Sequence, residues 1–248
     1  MEAALRAVNR THCQPQLPEE EVRAVARSIA QYGPGTLPGT LPDLATDIAN
    51  ARRFAIRNAE RARYCAPLGG WLCWDGCRWG ADTTQRVYAY AKETAIAILA
   101  EAQAAGEDQL RAKLAKWAVT SHSVPRLDAM LKLAQSEPEL VARTEDFDPD
   151  PLTLNTLSGT ADLRTGALRA HDPADMLTKI TAAPYTPGAR HPVWEKYLTD
   201  TTGGDAELLD YLQRAAGYSL SGLCNEETVF LVLGPEATGK TTFAEALL

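Results

Sequence analysis

Residues 230–242 read FLVLGPEATGKTT, and this stretch decides how the end of the chain is expected to fold. An apolar run, residues 229–233, precedes a G-x-x-x-x-G-K-T pattern that begins at Gly234 and ends at Thr241. This spacing is typical of phosphate-binding loops, in which a buried strand leads into a glycine-rich turn and then a helix. Residues 242–248, TFAEALL, are good helix sequence.

Each fixed position of this pattern has a chemical reason. Glycines let backbone N–H groups surround an anion, and the N-terminal end of the following helix adds partial positive charge. Lys240 is then placed to reach the β- and γ-phosphates of ATP, and the Thr241 hydroxyl to bind Mg²⁺. The alternative is a glycine turn without a ligand. The predicted nucleotide-binding residues are Gly234, Pro235, Glu236, Ala237, Thr238, Gly239, Lys240, Thr241 and Thr242.

The composition is that of an ordinary soluble protein. The 248 residues are 45% hydrophobic and 23% charged, which is enough for one large domain or two ordinary ones. No apolar run approaches the roughly 18 residues that a membrane-spanning helix needs, and the first residues lack a signal-peptide pattern. We therefore predict no membrane partner and a cytoplasmic location. A net charge of −7 neither favours nor excludes DNA, because motors that encircle DNA can confine positive charge to a channel.

The five cysteines do not predict a disulfide framework, because their number is odd and they are scattered. Cys73 and Cys77 are near each other, but no second Cys or His pair follows at ligand spacing. The sequence therefore predicts no zinc site.

Most of the chain has the apolar periodicity of helices. Predicted helices span residues 43–63, 83–101, 108–119, 124–135 and 206–214. The apolar stripe of the first helix includes Ile48 and Phe54. In the last helix, Leu208 and Tyr211 are expected to point inward, and Gly217 is expected to end the helix. His122, at a helix junction, is interpreted as a cap or packing residue. Two further helices are expected before a Pro- and Gly-rich linker at residues 33–42.

The first long helix also carries a cluster of arginines. Glu60 is the one acidic residue among them, so the cluster could meet a phosphate backbone. The favoured interpretation is a solvated helix face. The arginines are Arg52, Arg53, Arg57, Arg61 and Arg63.

Residues 70–79, GWLCWDGCRW, predict a β-hairpin with a two-residue turn at Asp75 and Gly76. Its tryptophans could stack on bases, but core packing is favoured. The predicted register places Leu72, Trp74, Cys77 and Trp79 on one apolar face, and Trp71, Cys73 and Arg78 on the other. A small β-meander is predicted over residues 152–171, with turns at Gly159 and Gly166.

Together these segments resemble the phage and plasmid primase-helicase family, which also includes poxvirus-type primase-helicases. The resemblance extends over roughly residues 43–248, ending at the phosphate-binding pattern. It is carried by Trp74-Asp-Gly, Arg78-Trp79, Phe147-Asp148, Asn155, Gly159, Asp162-Leu-Arg-Thr-Gly166, His171, Thr178, Tyr185-Thr-Pro187, Trp194 and Leu212-Gln-Arg-Ala-Ala-Gly-Tyr218.

The resemblance implies an ATP- and Mg²⁺-dependent DNA helicase, a homo-hexamer in the parent protein and usually fused behind a primase. It also implies the domain order. Residues 1–35 are expected to form a small helical module typical of primase C-termini, and residues 43–190 the primase-helicase N-terminal domain. Residues 191–228 are then a helical collar, and residues 229–248 the start of a superfamily 3 helicase domain. The expected fold class is α+β, mostly helical with small hairpins and a meander, ending in the first strand, loop and helix of an AAA+-like α/β domain.

The sequence departs from this family after the loop. The acidic metal partner, the residue that polarises the attacking water and the arginine finger have no positions in residues 243–248, so a truncated chain without hydrolytic activity of its own is expected. Two other classes of protein are alternatives. One is a non-enzymatic DNA-binding or oligomerisation piece, and the other is a P-loop kinase, whose loop normally lies near the start of its domain.

Overall fold

The computed structural model describes residues 18–20, 22, 44–236 and 238–247. Most of the expected 1–35 module therefore lies outside the described residues. The elements are α1 (Asp47–Asn58), β1 (Ala62–Cys65), β2 (Gly70–Trp74), β3 (Trp79–Ala81), α2 (Arg86–Ala104), α3 (Asp108–Ser121), α4 (Val124–Ala134), β4 (Thr153–Thr156), β5 (Gly159–Asp162), β6 (Leu168–Arg169), α5 (Pro192–Thr202), α6 (Ala206–Leu220) and α7 (Lys240–Leu247). The α+β class with small antiparallel sheets is confirmed.

The first sheet has the antiparallel order β1-β2-β3, and both of its faces are covered. One face contributes Cys73 and Trp71 to a core formed with α1, α2 and α4. The other face contributes Leu72 and Trp79 to a second core that includes Phe147. The division of hairpin side chains between two faces is thus as predicted, and the tryptophans pack in the protein interior.

The register of the hairpin differs from the prediction. Trp74 pairs with Trp79, so a four-residue loop replaces the expected two-residue turn and Cys77 leaves the sheet. The cause is the Asp75 carboxylate, which accepts hydrogen bonds from the backbone N–H groups of Cys77 and Arg78, each at 2.8 Å. The shift is by two positions, so the remaining side chains keep their faces.

The first predicted helix is shorter than expected. It begins after the N-cap Thr46, whose hydroxyl accepts the Ala49 N–H, and ends at Asn58. Residues 62–65 instead form β1, which pairs with β2. Phe54 is fully buried as predicted, but Ile48 is exposed, so that member of the predicted stripe is wrong.

Helices α2, α3 and α4 were predicted from periodicity and are confirmed. The apolar stripe of α4 is buried in the core, whereas Leu114 and Ala118 of α3 form a third cluster with Ile98 of α2. His122 caps α3, and its Nδ1 lies 2.7 Å from the carbonyl oxygen of Ala118. The described residues contain no helix long and apolar enough to cross a membrane.

The β-meander is confirmed with the order β4-β5-β6. It is tied to the first sheet because Asn155 on β4 donates to the carbonyl oxygens of Cys77 and Lys179, each at 2.9 Å. Trp79 adds a second tie, since its Nε1 donates to the Pro173 carbonyl oxygen at 2.9 Å. The two sheets and helices α1–α4, with the loops between them, are called the body below.

The C-terminal part departs most from expectation. Helix α5 lies within the helical collar expected over residues 191–228, but its bounds were not predicted; His191 caps its first turn and Gly203 ends it. Helix α6 continues through Gly217 to Leu220, and the expected inward residues Leu208 and Tyr211 are 42% and 50% exposed. No residue of α5 or α6 is fully buried.

The predicted strand at residues 229–233 does not form. None of these residues pairs in a sheet of the described structure. Side-chain exposure still alternates along the segment. Val229, Leu231 and Leu233 are about 80% exposed or more, whereas Phe230 and Val232 are less exposed. A parallel strand needs neighbouring strands for its N–H and C=O groups, and the described residues supply none.

Candidate phosphate-binding loop

The described residues of the candidate loop lead directly into a helix. Residues 234–236 and 238–239 form a turn, and α7 begins at Lys240. Gly239 has φ of +80°, a left-handed conformation that a glycine adopts without strain. The Gly239 carbonyl oxygen accepts the Phe243 N–H at 3.0 Å, which closes the first turn of α7.

Lys240 points back into this turn. Its Nζ donates to the carbonyl oxygens of Gly234 at 3.0 Å and Pro235 at 2.5 Å, and it lies 3.3 Å from the Thr238 hydroxyl. Thr238 in turn donates to the Pro235 carbonyl oxygen at 2.9 Å. The ammonium group is therefore centred on the loop rather than directed away into solvent.

The remaining predicted residues surround this position. Thr241 and Thr242 are exposed on the first turn of α7, so both hydroxyls are accessible from solvent. Glu236 is exposed in the loop, and Ala237 lies outside the described residues. The structure thus brings Gly234, Thr238, Gly239 and Lys240 together by contact and places the two threonines beside them.

Helix α5 lies behind the loop. The Tyr197 hydroxyl donates to the Gly239 carbonyl oxygen at 2.6 Å. A Cβ at Gly239 would meet the Tyr197 ring at 2.7 Å and the Thr201 hydroxyl oxygen at 3.3 Å. The sequence did not predict this contact, because Tyr197 precedes the loop by some forty residues.

An apolar cavity of about 450 Å³ opens beside the loop. It lies between α6, the unpaired residues 229–233 and α7. Tyr218 and Phe230 make an edge-on contact, with ring centroids 6.3 Å apart, and Phe230 lines the cavity. The lining is mostly apolar but includes Gly234, Pro235, Thr238 and Lys240, so the cavity is continuous with the loop.

The arginines of the first long predicted helix are mostly used within the body. Arg52 forms ion pairs with Glu137, at 3.1 Å, and with Glu139. These carboxylates raise the pKa of the Arg52 guanidinium, and Arg52 in turn lowers the pKa of Glu139. Arg53 is buried and pairs with Glu101 at 2.8 Å.

The other three arginines differ from one another. Arg61 pairs with Glu93 at 2.5 Å. Arg63 lies over the Trp79 ring, 4.9 Å from its centroid, and burial lowers its pKa. Arg57 is exposed and makes no hydrogen bond or ion pair among the described residues.

The prediction of a solvated helix face holds for Arg52 and Arg57, which are exposed on α1, and is wrong for Arg53, which is buried. Arg61 and Arg63 follow the end of α1 and belong to no helix face. The engagement of the four arginines other than Arg57 also argues against a phosphate-binding arginine stripe.

Several residues that carry the family resemblance hold the meander in place. Asp148 has φ of +49°, and its carboxylate accepts the Thr178 N–H at 2.8 Å. A Cβ on Gly159 would lie 2.2 Å from the Arg169 carbonyl oxygen, so only glycine fits there. These contacts, with those of Asn155, give the motif residues structural roles.

Two titratable groups of the first hairpin, Cys73 and Asp75, have shifted pKa values. Burial raises the pKa of the Cys73 thiol to about 12, so it remains protonated at neutral pH. Burial would also raise the pKa of Asp75, but hydrogen bonds from the N–H groups of Arg78 and Cys77 outweigh it and the pKa is lowered. Among the residues that the structure describes, no group of three His, Cys, Asp or Glu side chains could hold a metal ion.

Comparison with known proteins gives one family. A family model described as D5 N terminal like matches residues 51–203, more than half of the chain. The match contains both sheets and α5 and ends before the G-x-x-x-x-G-K-T pattern. A search of curated proteins found no match.

Proposed function

Because the chain belongs to the D5 N terminal like family, we propose that it is a replication protein of the primase-helicase type whose loop at residues 234–242 binds ATP with Mg²⁺. In this proposal the chain is part of an ATP-dependent DNA helicase of phage or plasmid replication. The observation that carries the nucleotide site is the position of Lys240, which starts α7 and directs its ammonium group into the loop.

The proposed phosphate site follows from the charge of that arrangement. Neutral carbonyl oxygens hold Lys240, and a phosphate is a stronger partner because its hydrogen bonds with an ammonium group are charge-assisted. The first N–H groups of α7 add partial positive charge at the same place. An incoming phosphate is therefore expected to replace the carbonyls of Gly234 and Pro235 as the main partner of Nζ.

The residues present also fit a magnesium ion bound with the nucleotide. Thr241 follows the lysine directly and is exposed on the first turn of α7. Its hydroxyl would hold Mg²⁺, which neutralises phosphate charge when bound. The chain's own contribution is then to hold the phosphates with Lys240 and backbone N–H groups and to orient the metal with Thr241.

The proposal that the parent assembly acts on DNA as a hexamer is supported by the family alone. The arginine cluster gives it little support, since only Arg57 is without a partner among the described residues.

A second candidate function is favoured by a specific feature, the exposed apolar side chains of α6 and residues 229–233. In that case the chain is a non-enzymatic oligomerisation element, and the loop binds no nucleotide.

Titration with a fluorescent ATP analogue and Mg²⁺ separates the two functions. Lys240→Ala is expected to weaken binding by tenfold or more, since it removes a charge-assisted bond that is typically about 1.5–3 kcal/mol. Lys132→Ala, which removes an exposed lysine of α4, is the matched control and should leave the affinity unchanged. Absence of binding by the unsubstituted chain, or equal binding by the Lys240→Ala variant, would favour the oligomerisation element.

A further inference from the structure

We infer that Tyr197 is a positioning residue, which fixes the phosphate-binding loop from α5; its effect on ligand affinity rests on the proposed function. The contact is a hydrogen bond from the Tyr197 hydroxyl to the Gly239 carbonyl oxygen at 2.6 Å. The same oxygen accepts the Phe243 N–H at 3.0 Å. Tyr197 therefore acts on the atom at which the loop ends and α7 begins.

The two hydrogen bonds to the Gly239 carbonyl oxygen also set the direction of the Lys240 N–H group. The peptide unit between Gly239 and Lys240 is planar, so its C=O and N–H point in opposite directions. Once Tyr197 and Phe243 fix the carbonyl, rotation of the Lys240 N–H is restricted as well. This N–H is one of the backbone donors that a phosphate-binding loop turns toward its anion.

A stack of aromatic rings sets the position of Tyr197. Trp194 lies one helical turn earlier on α5 and stacks on Tyr197, with ring centroids 5.0 Å apart. Trp194 also stacks on Phe243 of α7, at 6.2 Å between centroids and 11° between planes. The stack therefore joins α5 to α7.

The sequence places these groups on one face of α5. Trp194, Tyr197 and Thr201 are separated by three and four residues, which is the spacing of a helical face. Tyr197 and Thr201 both approach Gly239, where any side chain would collide with them. A glycine is thus needed at position 239 because α5 packs closely against it, in addition to the close approach of a phosphate.

The arrangement joins two parts of the chain that the family match separates. Helix α5 lies within the matched residues 51–203, and the loop lies beyond them. A change in the position of α5 would move the Gly239 carbonyl, and phosphate binding at the loop would in turn restrict α5. The hydrogen-bonded part of this link depends on one hydroxyl, so it is open to a single-atom test.

Tyr197→Phe removes the hydroxyl and keeps the ring. The chain offers a matched control, because the Tyr185 hydroxyl donates to the carbonyl oxygen of another glycine, Gly166, at 3.1 Å in the meander. With the full 248-residue chain and a fluorescent ATP analogue with Mg²⁺, Tyr197→Phe is expected to weaken binding about fivefold, the effect of one hydrogen bond. Tyr185→Phe should leave the affinity unchanged.

Hydrogen exchange without nucleotide gives a second measurement that does not depend on ligand binding. Tyr197→Phe is expected to speed exchange about fivefold at the N–H groups of residues 240–243, and Tyr185→Phe is not. Faster exchange in a chain that binds no nucleotide would support the positioning contact and overturn the proposed function. Unchanged exchange, or nucleotide affinity in the Tyr197→Phe variant equal to that of the unsubstituted chain, would overturn the inference and leave the proposed function standing.

Discussion

Helices α1 to α4 each bury apolar side chains in the core clusters of the body, whereas α5, α6 and α7 contain no fully buried residue. Both regions have amphipathic sequences, so the difference lies in what each helix faces. In the body, the first sheet lies between two hydrophobic clusters, and helices or loops cover each cluster on its other side. In residues 192–247, the apolar sides of α6 and the 229–233 segment face a cavity and solvent.

This contrast shows that a helix and a stable packed region are separate properties. Helix α6 forms with a capping Asp205 and a good helical sequence, yet Leu208 and Tyr211 remain about half exposed. Local signals can thus build a helix without giving it a core. The phosphate-binding pattern lies in the region with less burial, where local opening is expected to be easier.

The largest difference between the regions is expected from removal of a core side chain. Phe54 is completely buried against Trp71, with ring centroids 5.7 Å apart, so Phe54→Ala should lower the free energy of unfolding by about 3–5 kcal/mol. Leu212→Ala, on the partly exposed α6, should cost about 1 kcal/mol. Urea denaturation of both variants measures this difference. Equal costs would mean that the C-terminal helices share the core.

Replacing a glycine with alanine should change the free energy of unfolding in opposite directions in the two regions. Gly159→Ala forces a side chain onto the Arg169 carbonyl at φ of +142° and should destabilise the protein by about 3 kcal/mol. Gly217 lies in the middle of α6 with open space around it, so Gly217→Ala should stabilise that helix by about 1 kcal/mol. Thermal unfolding followed by circular dichroism tests both. A destabilising effect at Gly217 would show that something packs against α6 there.

The smallest expected contrast concerns ion pairs. Arg53 is buried and binds Glu101 and the Leu44 carbonyl oxygen, so Arg53→Ala should cost about 2 kcal/mol through groups left without partners. Arg214 pairs with Asp210 on the exposed face of α6, and Arg214→Ala should change stability by less than about 0.5 kcal/mol. Both are measured by urea denaturation at low and moderate salt. A similar cost for the two arginines would remove the distinction between the regions.

The helices of the body could be predicted because the spacing of apolar residues is a property of each local segment. The stripe of α4, for example, follows from residues 124–135 alone. Strand β1 could not be separated from the preceding helix, since four residues with two buried ends have meaning only when paired with β2. The hairpin register was wrong for a different reason, because the Asp75 side chain competes with the backbone turn.

At the candidate site, spacing selected candidate residues but not their surroundings. The pattern predicted a helix after the loop, and α7 is present from Lys240, whereas the left-handed conformation of Gly239 was not predicted. The bounds of α5 were not predicted within the expected helical collar, although His191-Pro192 and Gly203 are start and stop signals. The Tyr197 contact could not be predicted, because it depends on how α5 packs against the loop.

Hydrogen exchange with and without saturating ATP and Mg²⁺ tests most directly whether residues 234–242 bind phosphate. Exchange of backbone N–H groups in this loop and the first turn of α7 is expected to slow markedly on nucleotide addition, because a ligand that binds the folded loop stabilises it. The body, residues 47–169, is expected to exchange at the same rate in both conditions. Loop exchange that does not change at saturating nucleotide would contradict the proposed site.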